Sequence, residues 1–474
     1  MQLAQRHEAS LRYGQDALLA DFKRWRNLTT RDDKVQKHFT QTRRITELLE
    51  QLLTDAPTAA PVAGGDADAQ NEAALFSQAQ QAQELLFAQR IWAYFRSKFA
   101  LRYIDELRPM LKCADEFAWA CYRPAWERAR QAGTIEEGEL KEPPLIFLAG
   151  SESPFVQVRE GRYAPEGVGS QDARIYGELL VLPIPVIGLP WAQVSHLPLA
   201  ITLAHEVGHA VDEDFDVGAA LDEAIRNLAA VPDARKPAWL AWRRELFADA
   251  WGVLCAGAAH LIALSEYLVT TPDTVKSERA SSPNWGVYPP RMLRILFNTA
   301  LLKEAGLADV GVWQEWQDAY PVHGMMDFDA FAADAPHVAK ALLRTPVPAF
   351  GGVAPADVIC MTPEQWAEVQ RRAGELPTIT DITPKATNAQ QGAKDNQTLF
   401  RFTLAAAAWA SYAATDPVAV TARNARTVDA LATRAPGGTR GPAEDKAAAD
   451  ALYAAQTARK AAAAAKLRGM VMGG

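Results

Sequence analysis

Leu203-Ala204-His205-Glu206-Val207-Gly208-His209-Ala210-Val211 is the stretch on which the reading of this 474-residue chain turns. His205 and His209 stand at i and i+4, so on a helix both imidazoles can address one ion. Zinc at that point acidifies a water to a pKa of about 7, and Glu206, one residue after the first His, is placed to take its proton. The flanking Leu199, Ile201, Leu203, Ala204 and Val207 predict a buried helix over 198–212. A buried helix seldom carries three polar side chains without a use for them. Gly208 leaves room for a neighbouring segment. With eight His in the chain, two at this spacing around a Glu are not a chance pattern.

A catalytic zinc takes three protein ligands and keeps one position open. His209 is followed by Ala210-Val211-Asp212-Glu213-Asp214-Phe215. A third-His site of the metzincin type needs Gly at 212 and His or Asp at 215, and neither is present. Arg243-Arg244-Glu245-Leu246-Phe247-Ala248-Asp249 offers a better continuation. Glu245 and Asp249 are again i and i+4 on a predicted helix. Glu245 can complete the ligand set, and Asp249 can accept a hydrogen bond from the far nitrogen of a liganding His and fix its tautomer. Glu245 lies 36 positions past His209, enough for a loop, a helix and a return to an antiparallel neighbour. Glu223, with Asn227 at i+4, is the rival ligand. The bland alternative for Glu245 is an ion pair with Arg243 or Arg244.

HEVGH followed by ELFAD resembles the gluzincin class of zinc metallopeptidases, and its Glu-x-x-Ala-Asp is similar to the version in the CaaX-prenyl-protease-like group. The match spans roughly residues 140 to 305. The resemblance implies an α+β, mostly helical fold: a zincin-like catalytic domain of small sheet, active-site helix and helical lobe, here with large helical additions. It implies one catalytic Zn2+ held by His205, His209 and Glu245, Glu206 as general base, Asp249 behind the ligands, and hydrolysis of a peptide or protein substrate. That group's pattern continues with His-Pro-Pro and an Arg. Here the stretch reads Tyr288-Pro289-Pro290-Arg291-Met292-Leu293-Arg294, with Tyr288 where His is usual. Hydrolysis also needs a donor for the developing oxyanion. Tyr288 is first choice from its place in the motif order; Arg294, His260 and His323 are the alternatives. His196 is read as part of a helix entry.

Bulk properties agree with an ordinary globular chain. Hydrophobic residues make up 49% and charged residues 22%. The net charge of −8 argues against nucleic acid as the main partner. Cys113, Cys121, Cys255 and Cys360 form no CxxC pair and are expected to be inert thiols. The first residues lack the apolar run of a signal peptide, and no 18-residue apolar stretch occurs. A soluble, cytoplasmic protein without a membrane span is expected. Nothing in the pattern speaks to oligomeric state.

Four regions are expected: 1–135, N-terminal and helical; 136–310, the zincin-like metallopeptidase domain; 311–395, mixed and accessory; and 396–474, a C-terminal helix with an Ala-rich tail. Residues 56–70 read as a linker. In the helical stretch 71–131, Leu85, Ala88, Trp92, Phe95 and Phe99 fall on one side, and Pro109 and Pro124 break or kink it. Strands are expected at 145–148, 155–158 and 175–182. Pro183 and Pro185 mark the last as an edge, one that could receive an extended peptide. Helices are expected at 217–229, 238–269, 290–305 and 396–414, with polar connections at 270–287 and 384–395. Two functions compete: a zinc peptidase acting on a narrow protein target, which the large helical additions favour, and a catalytically silent zinc-binding protein-interaction module.

Overall fold

The computed structural model describes residues 3–54, 67–135, 141–159, 183–191, 196–279, 284–376, 389–414 and 416–435. Helices α1 (Leu3–Arg31), α2 (Phe39–Thr54), α3 (Ala67–Ala100) and α4 (Arg108–Gln131) come first. Pro109 starts α4, where its missing N–H costs nothing, while Pro124 sits inside that helix without ending it. Leu85, Ala88, Trp92, Phe95 and Phe99 are all buried, as their spacing requires.

A three-stranded sheet follows. β1 (Leu145–Ala149) runs parallel to β3 (Val186–Pro190), and β2 (Phe155–Gln157) lies antiparallel on the other side of β3. Successive side chains of a strand point to opposite faces. Leu145, Phe147, Ala149 and Val186 therefore join the core of α1–α3, whereas Ile146, Leu148, Ile187 and Leu189 join the core of α4 and the helices beyond. The sheet is a wall between two helical layers, which explains why β1 and β3 are buried end to end.

The strand expected at 175–182 lies outside the described residues. A strand that was not expected, β3, lies downstream of Pro183 and Pro185. Pro185 contributes only its carbonyl, which accepts from Leu145 N at 2.9 Å, and Pro190 closes the strand.

The helix expected over 198–212 is two pieces. A single turn, Leu197–Ala200, is followed by α5 (Leu203–Asp214). Between them, Ile201, Thr202, Ala204 and His205 bond back to the third residue before each, a tighter turn than α. α6 (Val217–Arg226) and α7 (Lys236–Ala256) come next. The expected helix 238–269 also breaks, because Gly257 adopts φ +61° and sends α8 (Ala258–Leu268) off on a new axis. The 270–287 connection contains a short helix, Pro272–Ser277. Then follow α9 (Arg291–Glu304), α10 (Val312–Ala319), α11 (Phe328–Arg344), α12 (Pro363–Glu375), α13 (Ala389–Tyr412) and α14 (Pro417–Arg434). α13 starts at Ala389, so part of the expected 384–395 linker is helix. The fold is α+β and mostly helical. No described helix is long and apolar enough to cross a membrane.

A buried polar network ties the first helical layer to the sheet and α4. Arg102 donates to Asp115 at 2.9 and 3.0 Å and to Ile146 O at 2.7 Å; His38 Nε2 lies 3.2 Å from the same carboxylate. Arg102 is 1% exposed and Asp115 5%. Removing the acid takes away the carboxylate that the buried Arg102 guanidinium and His38 share. Asp115→Ala is therefore expected to destabilise the protein by about 3–5 kcal/mol. Chemical denaturation checks this, and a midpoint equal to wild type would show that the network holds nothing together.

Candidate metal centre

α5 and α7 cross at close range, and Gly208 makes that possible. A Cβ at Gly208 would lie 2.8 Å from Ala248 Cα. The neighbours of Ala248 on its own helix, Glu245 and Asp249, are thereby brought against His205 and His209. His205 Nε2 and His209 Nε2 face each other at 3.1 Å. Glu245 Oε2 lies 3.4 Å from the first and Oε1 3.4 Å from the second. Tetrahedral zinc with bonds of about 2.0–2.1 Å spaces its donors about 3.3–3.4 Å apart. Two nitrogens and a carboxylate, all buried or nearly so, converge at that spacing, and the donor set fits such an ion. Without a cation, two ring nitrogens facing each other in a dry site would be costly.

The surroundings set the protonation of each group. Asp249, 0% exposed, accepts from His205 Nδ1 at 2.8 Å, from Arg294 Nε and Nη2 at 2.7 and 2.8 Å, and from Asn298 Nδ2 at 3.0 Å. Burial alone would raise its pKa, but Arg294 and these hydrogen bonds hold it well below the usual carboxylate range. The Nδ1–H of His205 is thus committed to Asp249, leaving Nε2 for the centre. Burial opposes charge on His205, yet Asp249 and Glu245 win and lift it to about 9. His209 goes the other way. Burial, then the charges of His205, Arg244 and Arg294, keep it neutral well below its ordinary value. Burial pushes Glu206 up to about 7.

A second grouping, His205, Asp249 and His260, also comes close together. Arg294 already occupies both oxygens of Asp249, so a cation there would sit against a guanidinium. His260 is fully buried, 3.6 Å from Asp249 and parallel to the His205 ring at 6.3 Å. Burial lowers its pKa.

The centre opens on a cleft of about 850 Å³, within the range of ligand sites. Its walls are Ser153–Val156 of the β2 segment, the site residues of α5, Ala241, Arg244 and Glu245 of α7, Leu264, Tyr267 and Leu268 of α8, and the segment from Val287 and Tyr288 to Arg291 and Arg294. Tyr288 is 61% exposed at this wall, and the Glu245 charge followed by burial raises its pKa.

The sequence-derived residues sort cleanly. His205, Glu206, His209, Glu245, Asp249, Tyr288, Arg294 and His260 all meet at or behind the cleft. Arg294 is committed to Asp249, which makes it a holder of that carboxylate. Arg243 pairs with Asp212 and with Asp222, so the bland ion-pair reading of Glu245 finds no partner in it. The rival Glu223 is exposed on α6, away from the cleft. His323 packs on Phe328, and His196 pairs with Glu266 at 3.0 Å. Asn298 and the Glu278–Arg291 pair were not singled out by sequence, and Arg244 only as a possible ion-pair partner of Glu245. Only Asn298 carried a usable signal, four residues past Arg294 and hence on the same helix face. Comparison with known proteins finds no family model, no curated protein and no solved structure that matches this chain.

Proposed function

We propose that this protein is a zinc-dependent peptidase of the gluzincin type with a zincin-like catalytic core. The observation that supports this most is the convergence of His205 Nε2, His209 Nε2 and the Glu245 carboxylate within 3.4 Å of one another, beside Glu206 and at the floor of a cleft. His205, His209 and Glu245 would hold the ion, and Asp249 orients His205. A bound zinc ion supplies Lewis acidity, lowering the pKa of a water to about 7 and polarising a carbonyl. The carboxylate of Glu206 takes the proton of the attacking water and returns it to the leaving amine nitrogen. The Tyr288 phenol, free of any described hydrogen bond, donates toward the carbonyl oxygen as negative charge builds there. Ser153–Val156 form the cleft wall on the sheet side, where an extended substrate can lie along β2.

Metal analysis tests the ligand set. Wild type is expected to carry one zinc per chain, and Glu245→Ala to lose it. Stoichiometric zinc in Glu245→Ala would remove Glu245 from the site.

The silent-module reading is weaker on one observation. A purely structural centre has no need of Glu206, whose carboxyl is buried, costly to keep there, and directed at an open cleft.

A further inference from the structure

Three arginines stand on the cleft wall: Arg244, Arg291 and Arg294. Two are neutralised. Arg294 is held by Asp249, and Arg291 by Glu278. Arg244 is exposed, and among the described residues no carboxylate lies within ion-pair distance of it. Its neighbour Arg243 has taken the acids on that side, Asp212 and Asp222. Three glutamates share the wall. Glu206 and Glu245 serve the centre and Glu278 serves Arg291, so among the described residues nothing compensates the charge of Arg244 on the rim.

Its position is set by the helix. Arg244 immediately precedes the ligand Glu245 and is one turn from Ala241, which also lines the cleft and is too small to cover it. The apolar side chains of Leu264, Tyr267, Leu268 and Val287 share the same cleft. A guanidinium presents a planar fork of donors matched to a carboxylate, and such charge-assisted pairs are strong when water is partly excluded.

We propose that Arg244 selects peptides that place a carboxylate, next to an apolar residue, beside the centre. The carboxylate can come from an Asp or Glu side chain or from the peptide's own C-terminus. The inference rests on reading the cleft as a peptide site.

The test uses the full chain loaded with zinc and carrying Glu206→Gln, so that peptides bind without turnover. Fluorescence anisotropy compares an amidated peptide with Glu beside a Leu, the same peptide with Gln, the Gln peptide with a free C-terminus, and one with Lys. Affinity is expected to be about tenfold higher for one carboxylate peptide than for the amidated Gln peptide. Which of the two gains identifies the source. Arg244→Glu in the same background should move the preference to the Lys peptide, and Arg244→Lys should keep it in part. Equal affinity for all four peptides, or a carboxylate preference that survives Arg244→Glu, overturns the proposal. Turnover by the chain with Glu206 intact is scored separately. A carboxylate preference without cleavage supports the inference while removing the peptidase reading; cleavage without the preference removes the inference alone.

Discussion

Glu206→Gln is expected to lower peptide hydrolysis by about 10²–10⁴-fold, the loss that follows removal of a positioned general base. Gln has the shape of Glu and no basic oxygen at neutral pH, so the helix and its two His should be undisturbed. Zinc content and melting temperature are therefore expected to stay at the wild-type level. The separation of these readouts carries the argument. His205 and His209 place their Nε2 atoms 3.1 Å apart without help from Glu206, whose carboxylate faces the cleft. A digest of casein or of a peptide library, run beside metal analysis, checks it. Full activity in Glu206→Gln would move the base elsewhere, and loss of zinc would make Glu206 a ligand.

How much of this centre could be read along the chain depended on how local its parts are. His205, Glu206 and His209 fall within five residues, and helical periodicity alone puts both rings on one face. Glu245 and Asp249 repeat the device at i and i+4. Gly208, noted only as room for a neighbour, turns out to be where α7 crosses, with Ala248 against it. Arg294 and Tyr288 came from motif order, and the structure gives them different work: one is clamped on Asp249 and the other is open to the cleft. Arg244 was unreadable. In sequence it is half of an Arg-Arg pair beside Glu245, and only the pairing of Arg243 with acids on α5 and α6 shows which arginine is left over.

The fold shows the same divide. The buried side of α3 was legible because five apolar residues keep helical spacing. The break at Gly257 was not, since a glycine inside an apolar run gives no sign of whether it bends the chain. β3 was not legible because Pro183 and Pro185 read as the end of an edge strand at 175–182 and not as the approach to another strand. Pro185 and Pro190 lie at the ends of β3, where a missing donor does little harm. The role of α1–α3 was also out of reach. That a helical layer covers the far face of the sheet depends on contacts of Phe147 and Val186 with helices many residues away.

Asp249→Ala should cost more than any other single change near the centre, through two routes that can be separated. Asp249 is the acceptor for Arg294, His205 and Asn298 at once, and none of these has another carboxylate as near. Arg294 is 5% exposed and Asn298 0%. Losing the acid leaves the buried Arg294 guanidinium only the more distant Glu245 at 3.6 Å, expected to destabilise the fold by about 3–5 kcal/mol. It also frees the His205 ring to turn, and loss of such an orienting partner typically weakens metal binding about 10–100-fold. Pairing Asp249→Ala with Arg294→Met tells the two apart. With both charges gone, no buried guanidinium is left short of its main partner and much of the stability should return, yet His205 still lacks its acceptor, so zinc affinity should stay low. Thermal unfolding and competitive zinc titration measure the two quantities independently. If stability and affinity recover together, Asp249 acts on the metal only by keeping the fold intact, and its orienting bond to His205 has no separate effect.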